Sequence, residues 1–322
     1  MMNSHGRRIA VWGVALASIL PASTVFAQVG TPAKVEEIIY GHKDGLALTF
    51  DRFEPYVEHN GAAVVFIVSG GWFSKWAPPE QTRIVLTPFL ARGYRCFAVR
   101  HGSSPRYSIA EAVEDVRLAI RTIRKDAKKH AIDPERIGVI GMSAGGHLTL
   151  MLATTGENPA TGETGDPGTR IAAGVALVPP SDISPYIWST PGLDPQYKQF
   201  PGLNISEKEA KAVSPLFHVT ADDAPCLIIS GGKDTLVLPE QGRWIHEKMD
   251  AAKVENKFVL YEESGHGLGS DMLSAMDESL DWFKRHLLEP ESVVERADRR
   301  IEPKEDPSAE DQELESDGEN RN

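Results

Sequence analysis

Short apolar runs alternate with longer amphipathic segments along most of the chain. The short runs predict eight strands. They lie near Ile38 and over residues 46–52, 64–69, 94–99, 137–141, 173–178, 227–230 and 258–262. Apolar residues at helical spacing predict helices over residues 81–91, 109–130, 239–251 and 270–286, and one directly after residue 143. Strands that alternate with helices indicate an α/β fold, with a mostly parallel twisted sheet and helices on both faces.

Residues 179–215 interrupt this alternation. The segment follows a predicted strand and is rich in Pro, Tyr, Trp and Gly. A long insertion at such a place is often a lid or a wall of an active site, so we predict a small lid insertion here. Its aromatic side chains either line a substrate pocket or anchor the segment to the core. They are Tyr186, Trp188, Tyr197 and Phe200.

Residues 136–147 carry the most informative motif of the sequence. Residues 141–145 read Gly-Met-Ser-Ala-Gly, with a predicted strand before them and an apolar helical pattern after them. G-x-S-x-G in this context is the pattern of a nucleophile elbow, with Ser143 as the nucleophile. The glycines let strand and helix approach closely, and the turn directs the backbone N–H of Ala144 at the reaction centre. A chance match in a glycine-rich turn is the competing interpretation.

A serine nucleophile requires a base, and the base requires a carboxylate that orients it. In hydrolases with this elbow the order along the chain is Ser, then Asp or Glu, then His. Asp234 follows a predicted strand and a glycine turn, and His266 lies between two glycines after the last predicted strand. Functional residues gather at the carboxyl ends of strands in such sheets, so Ser143, Asp234 and His266 are predicted to form a catalytic triad. Taken singly, Asp234 also fits a turn cap and His266 a solvated loop histidine.

Donors for an oxyanion are expected where an earlier strand ends. Residues 69–72 read Ser-Gly-Gly-Trp and follow an apolar strand. Lipases and esterases carry a His-Gly-Gly-Gly-type motif in this loop, and here a serine replaces the histidine. We predict an oxyanion hole formed by the backbone N–H of Gly71, with Trp72 or Gly70 as its neighbour, and by that of Ala144. An ordinary glycine turn is the alternative.

Together these motifs resemble those of the α/β-hydrolase fold, in its serine esterase/lipase group. Acetyl-esterase-like, feruloyl-esterase-like and kynurenine-formamidase-like members are similar, and the catalytic domain of prolyl oligopeptidases is related. The resemblance is carried by residues 69–72, 133–138, 141–148, 232–234 and 265–267, and it covers residues 35–288. Residues 100–107 depart from the family's Tyr-Arg-Leu-Ala-Pro-type stretch, so the acyl and alcohol pockets stay unassigned. His101 and Arg106 in this stretch either contact the substrate or serve the structure.

Residues 1–27 predict a signal peptide. Two arginines precede an apolar stretch of roughly 12 residues, and Val-Phe-Ala precedes Gln28. A membrane span needs about 20 apolar residues, so cleavage is favoured over an uncleaved anchor, and no stable span is expected afterwards. The expected location is periplasmic or extracellular. Cys96 and Cys226 lie in predicted buried strands, which favours two buried thiols over a disulfide.

Residues 289–322 differ from the rest of the chain. They hold 13 Asp or Glu against 5 Lys or Arg, a net of −8 within the chain's −12. With few apolar residues the stretch is predicted to be an acidic disordered tail, and an acidic interaction tail is the alternative. The small remaining charge does not favour a nucleic-acid partner. Residues 28–288 fit one α/β-hydrolase domain, and no cofactor or metal site is predicted.

These features predict a secreted serine hydrolase that cleaves carboxylic esters of short acyl groups through an acyl-enzyme. A short acyl group is expected because the insertion at 179–215 is polar and broken by prolines, without an apolar surface helix for an oil interface. The substrate is expected to be a small-molecule or carbohydrate-linked ester. Two alternatives are a serine peptidase of the prolyl-oligopeptidase type, which the lack of a preceding propeller-like region disfavours, and a hydrolase-fold binding protein without turnover.

Overall fold

An eight-stranded sheet forms the centre of the fold. The structure is a computed structural model, and it describes residues 34–157, 168–187 and 195–289. Its strands are β1 (Val35–Lys43), β2 (Leu46–Phe53), β3 (Ala63–Ile67), β4 (Arg95–Val99), β5 (Ile137–Met142), β6 (Ala173–Leu177), β7 (Cys226–Gly231) and β8 (Asn256–Tyr261). Their order in the sheet is β1-β2-β4-β3-β5-β6-β7-β8. β2 is antiparallel to both of its neighbours and all other pairings are parallel, which confirms the predicted sheet.

Helices connect the strands. The α-helices are α1 (Pro79–Leu90), α2 (Ile109–Lys125), α3 (Ala127–His130), α4 (Ala144–Thr154), α5 (Ser184–Ile187), α6 (Glu207–Ala212), α7 (Glu240–Ala251) and α8 (Met272–Phe283). Single 3₁₀ turns lie at Pro195–Gln199, Pro201–Leu203, Pro215–Phe217 and Gly269–Asp271, and a π turn at Lys284–Leu288 extends α8. All five helical segments predicted from the sequence are present.

The central strands are buried because helices cover both faces of the sheet. Every residue of β4 and of β7 is buried, the pattern expected of a doubly covered parallel sheet. Side chains that alternate along β4 enter two apolar layers. Phe97 packs in the layer that contains Ile120 of α2, and Ala98 packs in the layer that contains Phe89 of α1 and Phe283 of α8.

The predicted helix over residues 109–130 is in fact two helices. Its start is fixed by a capping box, in which Ser108 and Glu111 each bond the other's backbone N–H. Its apolar spacing ends at Ile123, and the chain changes direction at Asp126. The redirected α3 buries His130 edge-on against the rings of Phe50 and Phe97.

The insertion at 179–215 contains more helix than the sequence predicted. Besides α5 and the 3₁₀ turns, it holds α6, whose start carries a capping box between Ser206 and Glu209. Trp188 lies outside the described residues, as do the predicted signal peptide at 1–27 and, from residue 290 onward, the predicted acidic tail. Among the described residues, no helix has both the length and the apolar character of a membrane span.

The functional candidates meet at one edge of the sheet. Ser143 follows β5, Asp234 follows β7 and His266 follows β8, while Gly71 lies in the loop after β3. Because these strands are parallel, their carboxyl ends lie side by side. The topology therefore brings together residues that are far apart in sequence.

Candidate active site

Ser143 occupies a strained turn between β5 and α4. Its φ of 55° and ψ of −121° place a non-glycine residue in a backbone region that L-residues rarely adopt. Its N–H is fixed by a 2.8 Å hydrogen bond to the carbonyl oxygen of Leu177 on β6. A Cβ atom added to Gly141 would lie 2.3 Å from the backbone of Gly145. Only glycine permits this approach of strand and helix, as the motif predicted.

A hydrogen-bonded chain joins the three predicted triad residues. Nδ1 of His266 lies 2.7 Å from Oδ2 of Asp234, and Nε2 of His266 lies 3.0 Å from Oγ of Ser143. Asp234 is buried, and its Oδ1 accepts the N–H groups of Leu236 and Val237, both at 2.9 Å. Because the loop holds Oδ1 of Asp234, Oδ2 is fixed in position to accept the Nδ1–H of His266. The imidazole then places its unprotonated Nε2 to accept the Ser143 hydroxyl proton.

The loop after β3 forms a tight two-residue turn. Gly70 and Phe73 exchange two backbone hydrogen bonds of 2.9 Å. The central residues, Gly71 and Trp72, have φ values of 56° and 60°, which defines a type I′ turn. The N–H of Gly70 is engaged with Phe73, so of the two predicted neighbours of Gly71 only Trp72 has an N–H outside the turn's own hydrogen bonds. The central N–H groups take no part in the turn's own hydrogen bonds.

Ala144 supplies the third predicted donor. It is the first residue of α4, so its N–H has no acceptor within the helix, and no side chain caps it. Ala144, Gly71, Trp72 and Ser143 all line one pocket, part of which is open to solvent. The structure therefore brings the predicted nucleophile and the predicted donors to a single cavity.

A buried histidine holds the turn from one side. Nε1 of Trp72 donates a 3.2 Å hydrogen bond to Nδ1 of His147, and Nε2 of His147 donates to the carbonyl oxygen of Val213 at 2.6 Å. Burial lowers the pKa of His147 to about 4. The ring is therefore neutral at ordinary pH, with its proton on Nε2, and the sequence analysis did not single it out.

A second buried histidine holds the turn from the other side. Nε2 of His101 lies 2.9 Å from Oγ of Ser69, and its Nδ1 donates to the carbonyl oxygen of Gly102 at 2.8 Å. Burial lowers the pKa of His101, so the neutral ring accepts the Ser69 hydroxyl. The family's loop histidine is replaced here by a serine that bonds an imidazole from the end of β4. Neither His101 nor Arg106 lines the Ser143 pocket, and Arg106 is exposed and close to Asp44.

Aromatic residues of the insertion close the pocket. Its other lining residues are Pro180, Tyr186, Tyr197, Phe200, Leu203, Leu236 and Val237. The rings of Tyr186 and Tyr197 meet edge-on, with 5.8 Å between their centroids. Tyr186, Tyr197 and Phe200 line the pocket and also pack in the hydrophobic core, so both of the roles left open are observed for these three aromatics. The described residues contain no group of three or more His, Cys, Asp or Glu placed to hold a metal ion.

Comparison with known proteins places the chain in a family. The family model of BD-FAE matches residues 51–249, more than half of the sequence. The chain belongs to the BD-FAE family. The predicted membership in an α/β-hydrolase serine esterase family is confirmed.

Two relatives of this BD-FAE chain come from Mycobacterium tuberculosis. "Probable carboxylic ester hydrolase LipM" is 26% identical over 212 residues, which are 63% of this chain and 48% of that protein. "Esterase LipC" is 25% identical over 248 residues, which are 73% of this chain and 60% of that protein. The chain spans about half the length of these relatives.

A solved structure is similar over most of the chain. A thermophilic esterase from the Planctomycetes species Thermogutta terrifontis, with butyrate bound, has a TM-score of 0.63 and 26% identity to this chain. The match covers 80% of this chain and 94% of that one. The predicted α/β-hydrolase fold is thereby confirmed.

Proposed function

We propose that this BD-FAE protein is a serine esterase in which Ser143, His266 and Asp234 form the catalytic triad. The observation that carries the proposal is the continuous hydrogen-bonded chain from Asp234 Oδ2 through the His266 ring to Ser143 Oγ. The esterase names of its relatives support the same activity.

The reaction follows from the geometry. His266 accepts the Ser143 proton as Oγ attacks the ester carbonyl, and the buried Asp234 carboxylate stabilises the imidazolium that forms. The N–H groups of Ala144, Gly71 and Trp72 donate to the developing oxyanion. His266 then protonates the leaving alcohol, and water releases the acyl group from Ser143 by the reverse sequence of proton transfers.

The acyl group in this proposal is short. Phe200 and Leu203 line the pocket beside Ser143, and their bulk supports a short acyl group. A similar esterase has been solved with butyrate, the acid of a short acyl group. The alcohol in this proposal is a soluble or carbohydrate-linked one, because the sequence of the insertion is polar and broken by prolines, unlike an apolar helix that would bind an oil interface.

The protein is further proposed to be exported, with residues 1–27 removed as a signal peptide. The support is the basic start, the short apolar stretch and the Val-Phe-Ala before Gln28. Mass spectrometry of the protein from a secretion-competent host should find Gln28 at the N-terminus. An intact N-terminus in the membrane fraction would contradict export by cleavage.

The function is tested by a substrate panel. Phenyl esters from acetate to decanoate are compared with Ala- and Pro-anilides under identical conditions. The proposal expects kcat/KM to be highest for the short esters and to decline with chain length. Faster cleavage of an anilide than of every ester would favour the prolyl-oligopeptidase-type peptidase instead. No turnover of any substrate by folded protein would favour a binding protein.

A further inference from the structure

The loop that carries His266 connects β8 to α8 and has glycine at positions 265, 267 and 269. A Cβ atom added to Gly267 would meet none of the described atoms within 4 Å, so the surrounding protein does not pack against the loop beside the imidazole. Nε2 of His266 must nevertheless stay within hydrogen-bonding distance of Ser143 Oγ, because a displacement of about 1 Å can cost about 10²-fold in rate. The loop therefore requires other contacts that hold it.

The side chain of Ser264 supplies such a contact. Ser264 is buried, and its Oγ lies 2.8 Å from the carbonyl oxygen of Leu268 and 2.7 Å from Oδ2 of Asp271. Because Ser264 precedes His266 in the chain and both of its partners follow it, the hydroxyl joins the two ends of the loop. The far end is itself fixed, since the Leu268 side chain is fully buried in the apolar layer that contains Phe283.

Ser264 also contacts the loop that carries Asp234. Its carbonyl oxygen accepts the N–H of Lys233 at 2.8 Å, and a Cβ atom added to Gly231 would lie 2.5 Å from the same oxygen. The two loops therefore meet at Ser264, two residues before His266. A shift of Ser264 would change how the His266 ring faces the Asp234 carboxylate.

The Asp271 carboxylate is engaged in this contact rather than in capping a helix. Asp271 occupies the N-cap position of α8, but its side chain accepts no N–H of the first turn. Its Oδ2 lies beside the Ser264 hydroxyl instead. A hydroxyl has a single proton to donate, so Ser264 shares it between the Asp271 carboxylate and the Leu268 carbonyl.

We propose that Ser264 and Asp271 are positioning residues of the triad, and that their hydrogen bond holds the His266 loop with Nε2 within reach of Ser143. This inference rests on the proposed esterase function, in which His266 accepts the Ser143 proton. Neither Ser264 nor Asp271 lines the pocket beside Ser143, so their loss should slow the chemical step and leave substrate binding nearly unchanged.

The test measures kcat and KM for phenyl acetate in Ser264→Ala and Asp271→Ala. We expect kcat to fall about 10- to 100-fold in each, with KM within about twofold of wild type. Inactivation by phenylmethanesulfonyl fluoride should slow by a similar factor, because sulfonylation of Ser143 also requires His266 to take the serine proton. The double variant should be no slower than the slower single variant, since the two residues form one contact.

The variant Asp271→Asn distinguishes the hydrogen bond from the negative charge of Asp271. The amide N–H of the new side chain can donate to Ser264 Oγ, which leaves the hydroxyl proton for the Leu268 carbonyl, so the loop stays joined. We expect kcat of Asp271→Asn to return to within about threefold of wild type. A kcat as low as that of Asp271→Ala would overturn the inference, as would a double variant in which the two single defects multiply.

Matched control variants are available on α8. Ser279 is buried and its Oγ donates to the carbonyl oxygen of Ala275 at 2.6 Å, whereas Asp277 is exposed. Ser279→Ala should melt lower than wild type, Asp277→Ala should melt like wild type, and both should keep the wild-type kcat. Folded Ser264→Ala and Asp271→Ala with wild-type kcat would show that the contact serves stability alone. If Ser264→Ala does not fold, the two Asp271 variants decide the question.

Two further measurements separate this inference from the esterase proposal. If Ser143→Ala keeps its turnover, or if the sulfonyl fluoride leaves wild type active, the proposed function itself fails. If Ser143→Ala is inactive and wild type is inactivated, but the Ser264 and Asp271 variants react like wild type, only the positioning inference fails.

Discussion

The indole N–H of Trp72 donates to Nδ1 of His147, with 3.2 Å between the nitrogens. Through its other nitrogen the same imidazole bonds Val213 at the end of α6. One buried ring thus joins the turn after β3, the helix that begins at the elbow and the insertion that closes the pocket. The position of the Gly71 and Trp72 N–H groups depends on this ring.

Replacing His147 with Phe should lower kcat about 10- to 100-fold with little change in KM. The substitution keeps a ring but removes the acceptor for Trp72, so the oxyanion donors shift, and loss of one such donor outright costs about 10²- to 10³-fold. Steady-state kinetics with phenyl acetate checks this, beside the exposed control His42→Phe, which should behave as wild type. A folded His147→Phe with unchanged kcat would contradict the positioning role.

Two substitutions at Ser143 should separate activity from stability. Ser143→Ala should lower kcat by about 10⁴- to 10⁶-fold, the range for removal of a triad nucleophile. Ser143→Gly should be equally inactive but more stable than Ser143→Ala by about 1 kcal/mol, since glycine tolerates the positive φ of this turn. Urea unfolding of both variants provides the measurement. Equal stability would show that the elbow stores no backbone strain, and retained activity would remove Ser143 from the mechanism.

Gly71→Ala should disable the turn after β3 that is proposed to bind the oxyanion. A Cβ at this position would lie 2.4 Å from the ring of Phe200, and the φ of +56° is unfavourable for alanine. We expect kcat to fall at least about 10²-fold, as for loss of an oxyanion donor. The double variant Gly71→Ala/Phe200→Ala relieves the clash but not the backbone strain, so it should recover activity only in part. Full recovery would assign the defect to the clash alone.

The meeting of the three proposed triad residues could be predicted because each of them follows its own strand. Ser143, Asp234 and His266 lie in short glycine-rich loops, and parallel strands bring such loops to one edge whatever their separation in sequence. The donors in the turn after β3 were harder to predict from the sequence. Whether Gly70 or Trp72 has a free N–H depends on which of them bonds Phe73, and this is set by the local backbone conformation.

Contacts between distant loops were beyond the sequence. The hydrogen bond from Ser69 to His101 joins residues 32 positions apart, and nothing in either segment marks the pairing. Helix α6 did carry a signal, the Ser-x-x-Glu of its capping box at Ser206 and Glu209. That helix is only 6 residues long, too short for an apolar repeat to reveal it.

Two buried histidines should make the fold sensitive to mild acid. Burial lowers the pKa of His147 to about 4, and burial together with the Arg52 guanidinium lowers that of His130 to about 4. In the unfolded chain both titrate near about 6.5. Below pH 6.5 these histidines bind protons in the unfolded chain but not in the folded protein. The free energy of unfolding therefore decreases as the pH falls from the histidine pKa of the unfolded chain toward that of the folded protein.

The free energy of unfolding should therefore fall by about 3 kcal/mol between pH 6.5 and 5, summed over these two histidines. Carboxylates are mostly ionised over this interval, so they contribute little. His130→Phe removes one of these two titrations and places an apolar ring beside Phe50 and Phe97, so about 1.5 kcal/mol of the pH-dependent loss should disappear. Urea unfolding at half-unit pH steps checks both values. A free energy that stays constant over the interval would mean that these imidazoles take up protons in the folded state.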